Sequence, residues 1–181
     1  MGDHASVNGR DRSEAFRDCM KQNYPQIKVL EIPAEWKSDK AAAGLESIYT
    51  QNKDLKGIYM QAGGVYLAPT LQTLKRLGGL HKVGTPGHIV IVSNDGIPQE
   101  YDAIRKGLID ATVSQPADLY AKYGIEYIKQ AMAGRRFKPG PTDHGSQIVK
   151  LPSGALEDEL PAPLVTKKNV GDPKLWGNTL K

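Results

Sequence analysis

Residues 88–107, HIVIVSNDGIPQEYDAIRKG, run from a buried strand into a helix through a polar turn. The apolar part is short and continuous, which is typical of a strand covered on both faces in a parallel sheet. It stops at Asn94-Asp95-Gly96, and a helix is predicted directly afterwards. Ligands bind at such strand ends in open α/β sheets. Asp95 therefore has three interpretations: a helix cap, a turn residue or a ligand contact.

Strand and helix patterns alternate on both sides of this stretch, which predicts βαβ units and an α/β fold. Right-handed crossovers place helices on both faces of a parallel sheet. The predicted strands are 28–33, 57–61, 89–92 and 110–115, with short strands at 147–151 and 163–166, and the predicted helices are 10–21, 38–51, 65–77, 98–106 and 116–134. Residues 1–9 are polar, so the sheet is expected to lack an opening strand.

Composition and charge favour an ordinary globular domain. The 181 residues are 39% hydrophobic and 24% charged, with a formal net charge of +4. The cations are scattered, each near an acid or a helix end, so a solvated surface is favoured and no nucleic-acid partner is expected. No apolar run approaches the ~18 residues of a membrane span. Residues 1–14 lack the pattern of a signal peptide.

The lone cysteine and the four histidines do not indicate a redox or metal centre. Cys19 has no partner for an internal disulfide, and its place on the apolar side of the first predicted helix favours a buried, inert thiol. His4, His81, His88 and His144 lack metal-ligand spacing, so surface positions are expected. The sequence has no phosphate loop and no dinucleotide fingerprint, and neither a cofactor nor an enzymatic activity is expected.

Four residues near strand ends carry the chemistry of a binding site. Each has a structural alternative: Arg12 as a surface cation in the first helical turn, Trp36 as a core aromatic, Asp95 as an N-cap, and Gln115 as a cap of the following helix. Together they fit a polyhydroxylated ligand, because carboxylates accept from hydroxyls, guanidinium and amide groups donate, and an indole stacks on the face of a sugar ring. With no nucleophile–base pair in the sequence, binding is favoured over catalysis.

Several stretches resemble the periplasmic sugar-binding proteins of ABC importers, of the ribose-binding type. They cover nearly the whole chain in order: GRDRSEAF (9–16), IPAEW (32–36), GIYMQAGG (57–64), IVIVSNDGIPQ (89–99), KGLIDATVSQPAD (106–118) and PLVTKKNVGDPKLWGN (163–178). Residues 89–118 and the LWGN tail are the most specific. The resemblance implies that two lobes close around a sugar and that this chain is mostly the C-terminal lobe.

The same resemblance implies individual roles. The ligand-binding arginine, stacking aromatic, strand-end aspartate and hinge glutamine fall, respectively, on Arg12, Trp36, Asp95 and Gln115. Where ribose binders have an asparagine, this chain has Ala62, followed by Gly63 and Gly64. Ala62 and Gly63 are therefore also assigned to the site, and the lost amide argues against ribose itself. The glycine pair fits either a helix start alone or the close approach of a ligand or another backbone.

The resemblance further divides the chain into three parts. Residues 1–115 would form the sugar-binding lobe, 116–155 a segment returning to a missing N-terminal lobe, and 156–181 the last strand and tail near the hinge. The apolar faces of that segment, including Leu119, Tyr123, Ile125 and Ile128, would then lack a partner. The chain would be truncated before Met1, and the full-length protein is expected in the periplasm. The implied partners are a sugar and a membrane permease, and a homodimer through unpaired edges or apolar faces is also open.

Two other functions remain open at this stage. Repressors of the lactose-repressor family share this fold and several of these motifs, although the LWGN tail resembles the transporter branch. An enzyme with a flavodoxin-like sheet would use Asp95 and Arg12 in phosphoryl chemistry. The absence of a phosphate loop, and of a second acid beside Asp95, argues against that enzyme.

Overall fold

The computed structural model describes residues 1–180 and contains two sheets. The helices are α1 (Val7–Asn23), α2 (Ser38–Gln51), α3 (Gly63–Arg76), α4 (Pro98–Arg105), α5 (Ala117–Met132) and α6 (Trp176–Thr179). The strands are β1 (Gly57–Met60), β2 (Val90–Asp95), β3 (Ala111–Ser114), β4 (Gly140–Pro141), β5 (Gln147–Lys150), β6 (Leu156–Glu159) and β7 (Leu164–Thr166). In the larger sheet, β1, β2 and β3 are parallel neighbours, and β7 pairs with β3 in the antiparallel direction. The smaller sheet is antiparallel and contains β4, β5 and β6. The predicted α/β class with a mostly parallel sheet is therefore confirmed.

The register of the larger sheet brings its polar strand ends to one edge. Met60 of β1 pairs with Ser93 of β2, and Asp95 of β2 pairs with Ser114 of β3. Parallel strands finish on the same side, so the residues that follow them emerge together at the carboxyl edge. This edge is where Gln61 and the other candidate site residues lie.

The hydrophobic core belongs to the larger sheet and its helices. Its most deeply buried side chains include Leu74 of α3, Ile91 of β2, Tyr101 of α4 and Val165 of β7. Within the described chain, no hydrophobic residue between Ala111 and Val165 is buried. We call α5 and the small sheet, residues 117–159, the α5 module. Ile125 and Ile128 are exposed on it, as predicted for an uncovered apolar face, whereas Leu119 and Tyr123 are partly covered and Tyr123 stacks on His144.

Two stretches of chain connect the α5 module to the larger sheet, and they lie side by side. One leaves β3 at Gln115, and the other returns into β7 at Leu164. Ser114 N donates to Pro163 O at 2.9 Å, which joins the two connections. The small sheet includes β6, which pairs with β5. The last strand of the larger sheet, β7, begins at Leu164.

The prediction of a strand at 28–33 is wrong. These residues contain the apolar side chains expected of a strand, yet they form no ladder with β1 or with any other described segment. A strand requires a neighbour at hydrogen-bonding distance, and β1 bonds only to β2. Composition alone does not supply that neighbour.

Cys19 is exposed, so the predicted buried thiol is also wrong. Helix α1 starts earlier than expected, at Val7, because the Ser6 side chain caps it by accepting from Gly9 N at 3.2 Å. The residues that α1 buries are Gly9 and Ser13, which are small enough for close packing. Phe16 of α1 stacks on Tyr59 of β1, so the side that faces the sheet contains Gly9, Ser13 and Phe16, and Cys19 lies outside it.

The exposure of Cys19 predicts rapid chemical labelling of the native protein. A water-soluble disulfide reagent is expected to modify the one thiol in the folded chain about as completely as in the denatured chain, because no protein surface covers the sulfur. The absorbance of the released thiolate measures the reaction. Labelling that requires denaturant would contradict the exposed position.

Two of the histidines expected on the surface are instead largely covered. A His88 ring nitrogen lies 2.9 Å from Asp110 Oδ2. In the α5 module, His144 Nε2 lies 2.9 Å from Asp158 Oδ2 and Nδ1 lies 3.0 Å from Asp143 Oδ1. Sequence spacing does not indicate the pairs with Asp110 and Asp158, because only the fold brings these two acids close to His88 and His144.

The surroundings of His144 predict a pH-dependent α5 module. Burial lowers the pKa of His144, but hydrogen bonds with Asp158 and Asp143 raise it overall above its ordinary value of 6.5. A raised folded pKa stabilises the protein fully below that ordinary value, and the stabilisation is lost as the pH rises through the folded pKa. We expect the thermal midpoint to fall between pH 6 and pH 8, and this dependence to shrink in His144→Gln. An unchanged pH profile in that variant would contradict the pairing.

No helix within residues 1–180 combines the length and the apolar character needed to cross a membrane.

Candidate functional site

Arg12 extends from α1 to the carboxyl edge of the larger sheet. Its Nη1 donates to Gln61 O at 2.5 Å and lies 3.7 Å from Asp95 Oδ1. The Arg12 and Asp95 side chains are 21% and 24% exposed, so this pair is screened from water without being sealed from it. Because α1 begins at Val7, Arg12 lies in its second turn, and its predicted place in the first turn is wrong.

The Asp95 side chain contacts α3 and not α4, which is the helix that follows Asp95 in the chain. Its Oδ2 accepts from Gly64 N at 3.1 Å in the first turn of α3. The N-cap of α4 is Ile97, so the interpretation of Asp95 as a cap of the next helix is wrong. Burial raises the pKa of Asp95, and the Gly64 and Arg12 contacts only partly offset that rise.

Asn94 is the site residue that the sequence reasoning missed. With its amide oxygen facing Arg12, it accepts from Arg12 Nη2 at 3.0 Å and from Gln115 Nε2 at 2.8 Å. Neighbouring residues of a regular strand point to opposite faces, so Asn94 and Asp95 would not be expected to contact the same side chain. Asp95 has a φ of 133°, outside strand geometry. The alternation therefore ends there, and both side chains meet Arg12.

Gln115 completes a cluster with Arg12, Asn94 and Asp95. Its Nε2 lies 3.4 Å from Asp95 Oδ1, and its backbone N donates to Asp95 O at 3.0 Å. Tyr120 of α5 donates to Gln115 Oε1 at 3.4 Å. The first turn of α5 has Pro116 as its N-cap and no side-chain cap, so the interpretation of Gln115 as a helix cap is wrong.

Trp36 lies apart from this cluster. Its indole Nε1 donates to Ser6 Oγ at 3.2 Å, and its ring stacks on Tyr66 with centroids 6.3 Å apart. The side chain is half-buried against the core. Trp36 makes no hydrogen bond with Arg12 or Asp95 in the described structure, so of the four sequence candidates three converge and one does not.

Ala62 and Gly63 lie at the start of α3, next to the cluster. Ala62 is the N-cap residue of α3 and is buried. Gly63 packs directly on the Glu100 carboxyl group, where an added Cβ would collide with it. The interpretation of the glycine pair as a helix start is confirmed, and the group that packs closely on Gly63 is a side chain and not a ligand or another backbone.

Glu100 bonds to side chains of β2 and β3 and was not identified as a candidate residue from the sequence. It is fully buried, and its Oε1 accepts from Ser93 and from Thr112 Oγ1, the latter at 2.8 Å. Its Oε2 accepts from Gly96 N at 2.8 Å and from Ile97 N at 3.0 Å. Burial raises its pKa, and these donors only partly offset that rise. The sequence does contain a signal for this role. Glu100 is at the third position of a helix that follows a polar turn, and a glutamate there is typical of helix capping.

Two residues near the end of the chain, Trp176 and Gly177, contact the loop between β2 and α4. Trp176 Nε1 donates to Asp95 O at 3.0 Å. Gly177 lies against Gly96 O so closely that a Cβ has no room. The β2–α4 turn that carries Asp95 is therefore fixed from two sides before any ligand arrives, which lowers the cost of ordering it on binding.

Comparison with known proteins identifies the family of this chain. Residues 1–136 match the model of the periplasmic binding protein domain. The chain is 30% identical over 166 residues to the D-apiose import binding protein of Paraburkholderia graminis, covering 87% of this chain and 48% of that relative. It is 28% identical over 122 residues to the D-allose-binding periplasmic protein of Escherichia coli, covering 66% of this chain and 37% of that relative.

Solved structures show the same fold. An ABC transporter solute-binding protein of Actinobacillus succinogenes with bound D-allose superimposes with a TM-score of 0.73 at 17% identity, covering 93% of this chain and 52% of that one. One from Agrobacterium vitis with bound α-D-tagatopyranose gives a TM-score of 0.69 at 22% identity, covering 94% and 49%. The chain thus spans about half the length of these relatives. On the family match over three quarters of its residues, it belongs to the periplasmic binding proteins.

Proposed function

We propose that this chain is the C-terminal lobe of a sugar-binding component of an ABC importer. The observation that carries the proposal is the cluster of Arg12, Asn94, Asp95 and Gln115 at the carboxyl edge of the sheet. It presents one cation, one anion and two amides within hydrogen-bonding reach of a single small molecule. Vicinal hydroxyls of a monosaccharide donate and accept, and so match such a set.

The names of the relatives support a monosaccharide ligand. Those named above are an apiose and an allose binding protein, and the solved structures carry allose and tagatose. These names favour an importer component over a repressor. The methyl group of Ala62 offers no hydrogen bond, so we propose a sugar without a polar group directed at that position, which disfavours ribose.

We further propose that a second lobe completes the ligand shell. The cluster covers one side of a ligand, and the exposed apolar face of the α5 module around Ile128 would pack on that lobe. Trp36 would stack on the sugar only after moving from its contact with Tyr66. The full-length protein would work in the periplasm and would pass the sugar to a membrane permease, without an enzymatic step.

Titration of the isotope-labelled chain with monosaccharides tests this function. Apiose, allose, tagatose and ribose are added separately while backbone and side-chain NMR signals are followed. At least one sugar is expected to shift the signals of Asn94, Asp95 and Gln115, with a Kd weaker than ~0.1 mM because only one side of the ligand is covered.

The control for this titration is Asp102→Ala, which removes an exposed acid on α4 that pairs with Arg105 away from the cluster. It is expected to leave the sugar-induced shifts unchanged. Shifts absent for every sugar would contradict a sugar site. Tight binding by the single lobe, seen by calorimetry, would contradict the second-lobe part of the proposal.

A further inference from the structure

Tyr120 is an aromatic residue that reaches the site cluster from the α5 module. It is the fourth residue of α5, and its backbone N donates to Pro116 O at 3.0 Å. Its hydroxyl group donates to Gln115 Oε1 at 3.4 Å, and the residue is 47% exposed. The phenol is therefore held at the edge of the cluster without being buried there.

Two other tyrosines on the same side of α5 contact the small sheet and the loop beside it. The Tyr123 ring stacks on His144 with centroids 3.7 Å apart, and the Tyr127 hydroxyl donates to Asp158 Oδ2 at 2.8 Å. Residues three and four apart lie on one face of a helix, so Tyr120 continues this stripe by one turn. Its hydroxyl, however, has its partner in the cluster. The stripe of three tyrosines thus extends from the small sheet to the candidate site.

The charges around Tyr120 keep its hydroxyl a hydrogen-bond donor. Burial raises the pKa of Tyr120, the nearby Arg12 opposes that rise, and Glu157 of β6 adds to it. A tyrosine with a raised pKa is protonated at neutral pH and donates its one hydrogen. That hydrogen is directed to Gln115 Oε1.

The Gln115 amide has different partners at its two ends. Nε2 donates to the Asn94 amide oxygen at 2.8 Å and to Asp95 Oδ1 at 3.4 Å, whereas Oε1 accepts from Tyr120. An amide nitrogen carries two hydrogens, so Asn94 takes one and the other is directed to Asp95. The 3.4 Å contact is long for a hydrogen bond. A ligand hydroxyl can replace it by accepting from Nε2 and donating to Oδ1.

We infer that Tyr120 is a positioning residue of the sugar site: it occupies the acceptor oxygen of Gln115 and leaves that amide only a donor for the ligand. The inference rests on the proposed sugar-binding function and specifies the chemistry of one contact. The sugar hydroxyl between Gln115 and Asp95 must accept from the amide and donate to the carboxylate. A sugar with hydrogen in place of that hydroxyl loses both bonds and leaves two polar groups unpaired, so the site discriminates against it.

Tyr120→Phe tests the positioning role in the sugar-free chain, because it removes the hydroxyl and keeps the ring. Tyr123→Phe is the matched control, since it removes a hydroxyl from the same helix and keeps the ring that stacks on His144. Nitrogen relaxation of the Gln115 side-chain amide is measured by NMR. Its order parameter is expected to fall in Tyr120→Phe and to stay unchanged in Tyr123→Phe. Both thermal midpoints should stay within about 2 °C of the unaltered chain.

The sugar titration described above then measures the effect on binding. Tyr120→Phe is expected to weaken binding about three- to tenfold, the range of one neutral hydrogen bond. Tyr123→Phe should bind as the unaltered chain does. In a Gln115→Ala background, Tyr120→Phe is expected to cause no further loss, because Tyr120 acts through that amide.

An unchanged Gln115 order parameter in sugar-free Tyr120→Phe would overturn the inference, and so would unchanged sugar affinity in that variant. A further loss of affinity in the Gln115→Ala background would also overturn it, because Tyr120 would then contact the sugar directly. If the unaltered chain responds to no sugar, the proposed function itself fails. The sugar-free relaxation data still decide in that case whether Tyr120 positions the Gln115 amide.

Discussion

Replacing Asp95 with alanine in a two-lobed protein that contains this chain is expected to weaken sugar binding by more than tenfold. The substitution removes the carboxylate that accepts from sugar hydroxyls and that lies 3.7 Å from the Arg12 guanidinium. A hydrogen bond to a charged group contributes about 1.5–3 kcal/mol, and tenfold in affinity is about 1.4 kcal/mol. Calorimetry with the sugar that gives the strongest response in the titration measures the change.

Asp95→Asn and Asp102→Ala separate binding from folding in this experiment. Asp95→Asn keeps the shape and one acceptor oxygen for Gly64 N, so it should preserve stability better than it preserves affinity. Asp102→Ala should change neither. If Asp95→Ala lowers affinity less than tenfold while the thermal midpoint falls, Asp95 acts mainly as a partner of the α3 N-terminus and not as a ligand contact.

Glu100→Ala is expected to lower the free energy of unfolding by about 3 kcal/mol or more. The substitution leaves Ser93, Thr112, Gly96 N and Ile97 N without their shared acceptor in a fully buried place. Each buried donor left unsatisfied costs about 1–3 kcal/mol. For a domain of this size the thermal midpoint should fall by roughly 6–12 °C. Urea unfolding followed by circular dichroism provides the free energy.

Glu100→Gln and Glu126→Ala are the comparisons for this prediction. The glutamine keeps the volume but turns one acceptor into a donor that faces backbone N–H groups, so an intermediate loss is expected. Glu126 is exposed on α5, and its removal should change stability by less than about 0.5 kcal/mol. A loss below about 1 kcal/mol in Glu100→Ala would show that water replaces the carboxylate.

Much of the fold follows from local pattern. The α2 bounds agree with the prediction at both ends, because a regular helical period runs from Ser38 to Gln51. The meeting of Asp95 and Gln115 follows from one rule, that parallel strands finish at the same edge. Arg12 extends from α1 and follows no strand, so its role was assigned by the family resemblance.

The wrong predictions have a different cause. Each depends on which other part of the chain packs beside the element, and local sequence pattern does not show this. Residues 28–33 require a partner strand to become one. Cys19 was assigned to the buried side of α1 from periodicity, but the side that packs on the sheet contains Gly9, Ser13 and Phe16 and leaves Cys19 exposed. Asn94 joined the site only because the backbone of Asp95 leaves strand geometry. Period and propensity describe an element and do not describe what packs against it.

The paired connections between the larger sheet and the α5 module restrict how these two bodies can move. Because Ser114 N bonds to Pro163 O, both connections pass through nearly the same point. Prolines at 116, 161 and 163 fix φ at three positions there, which leaves a small number of backbone torsions free. We therefore expect the module to rotate about this point more easily than it slides along the sheet. Gln115 lies beside this point and its backbone N bonds to Asp95 O, so its amide should stay near Asp95 when the module rotates.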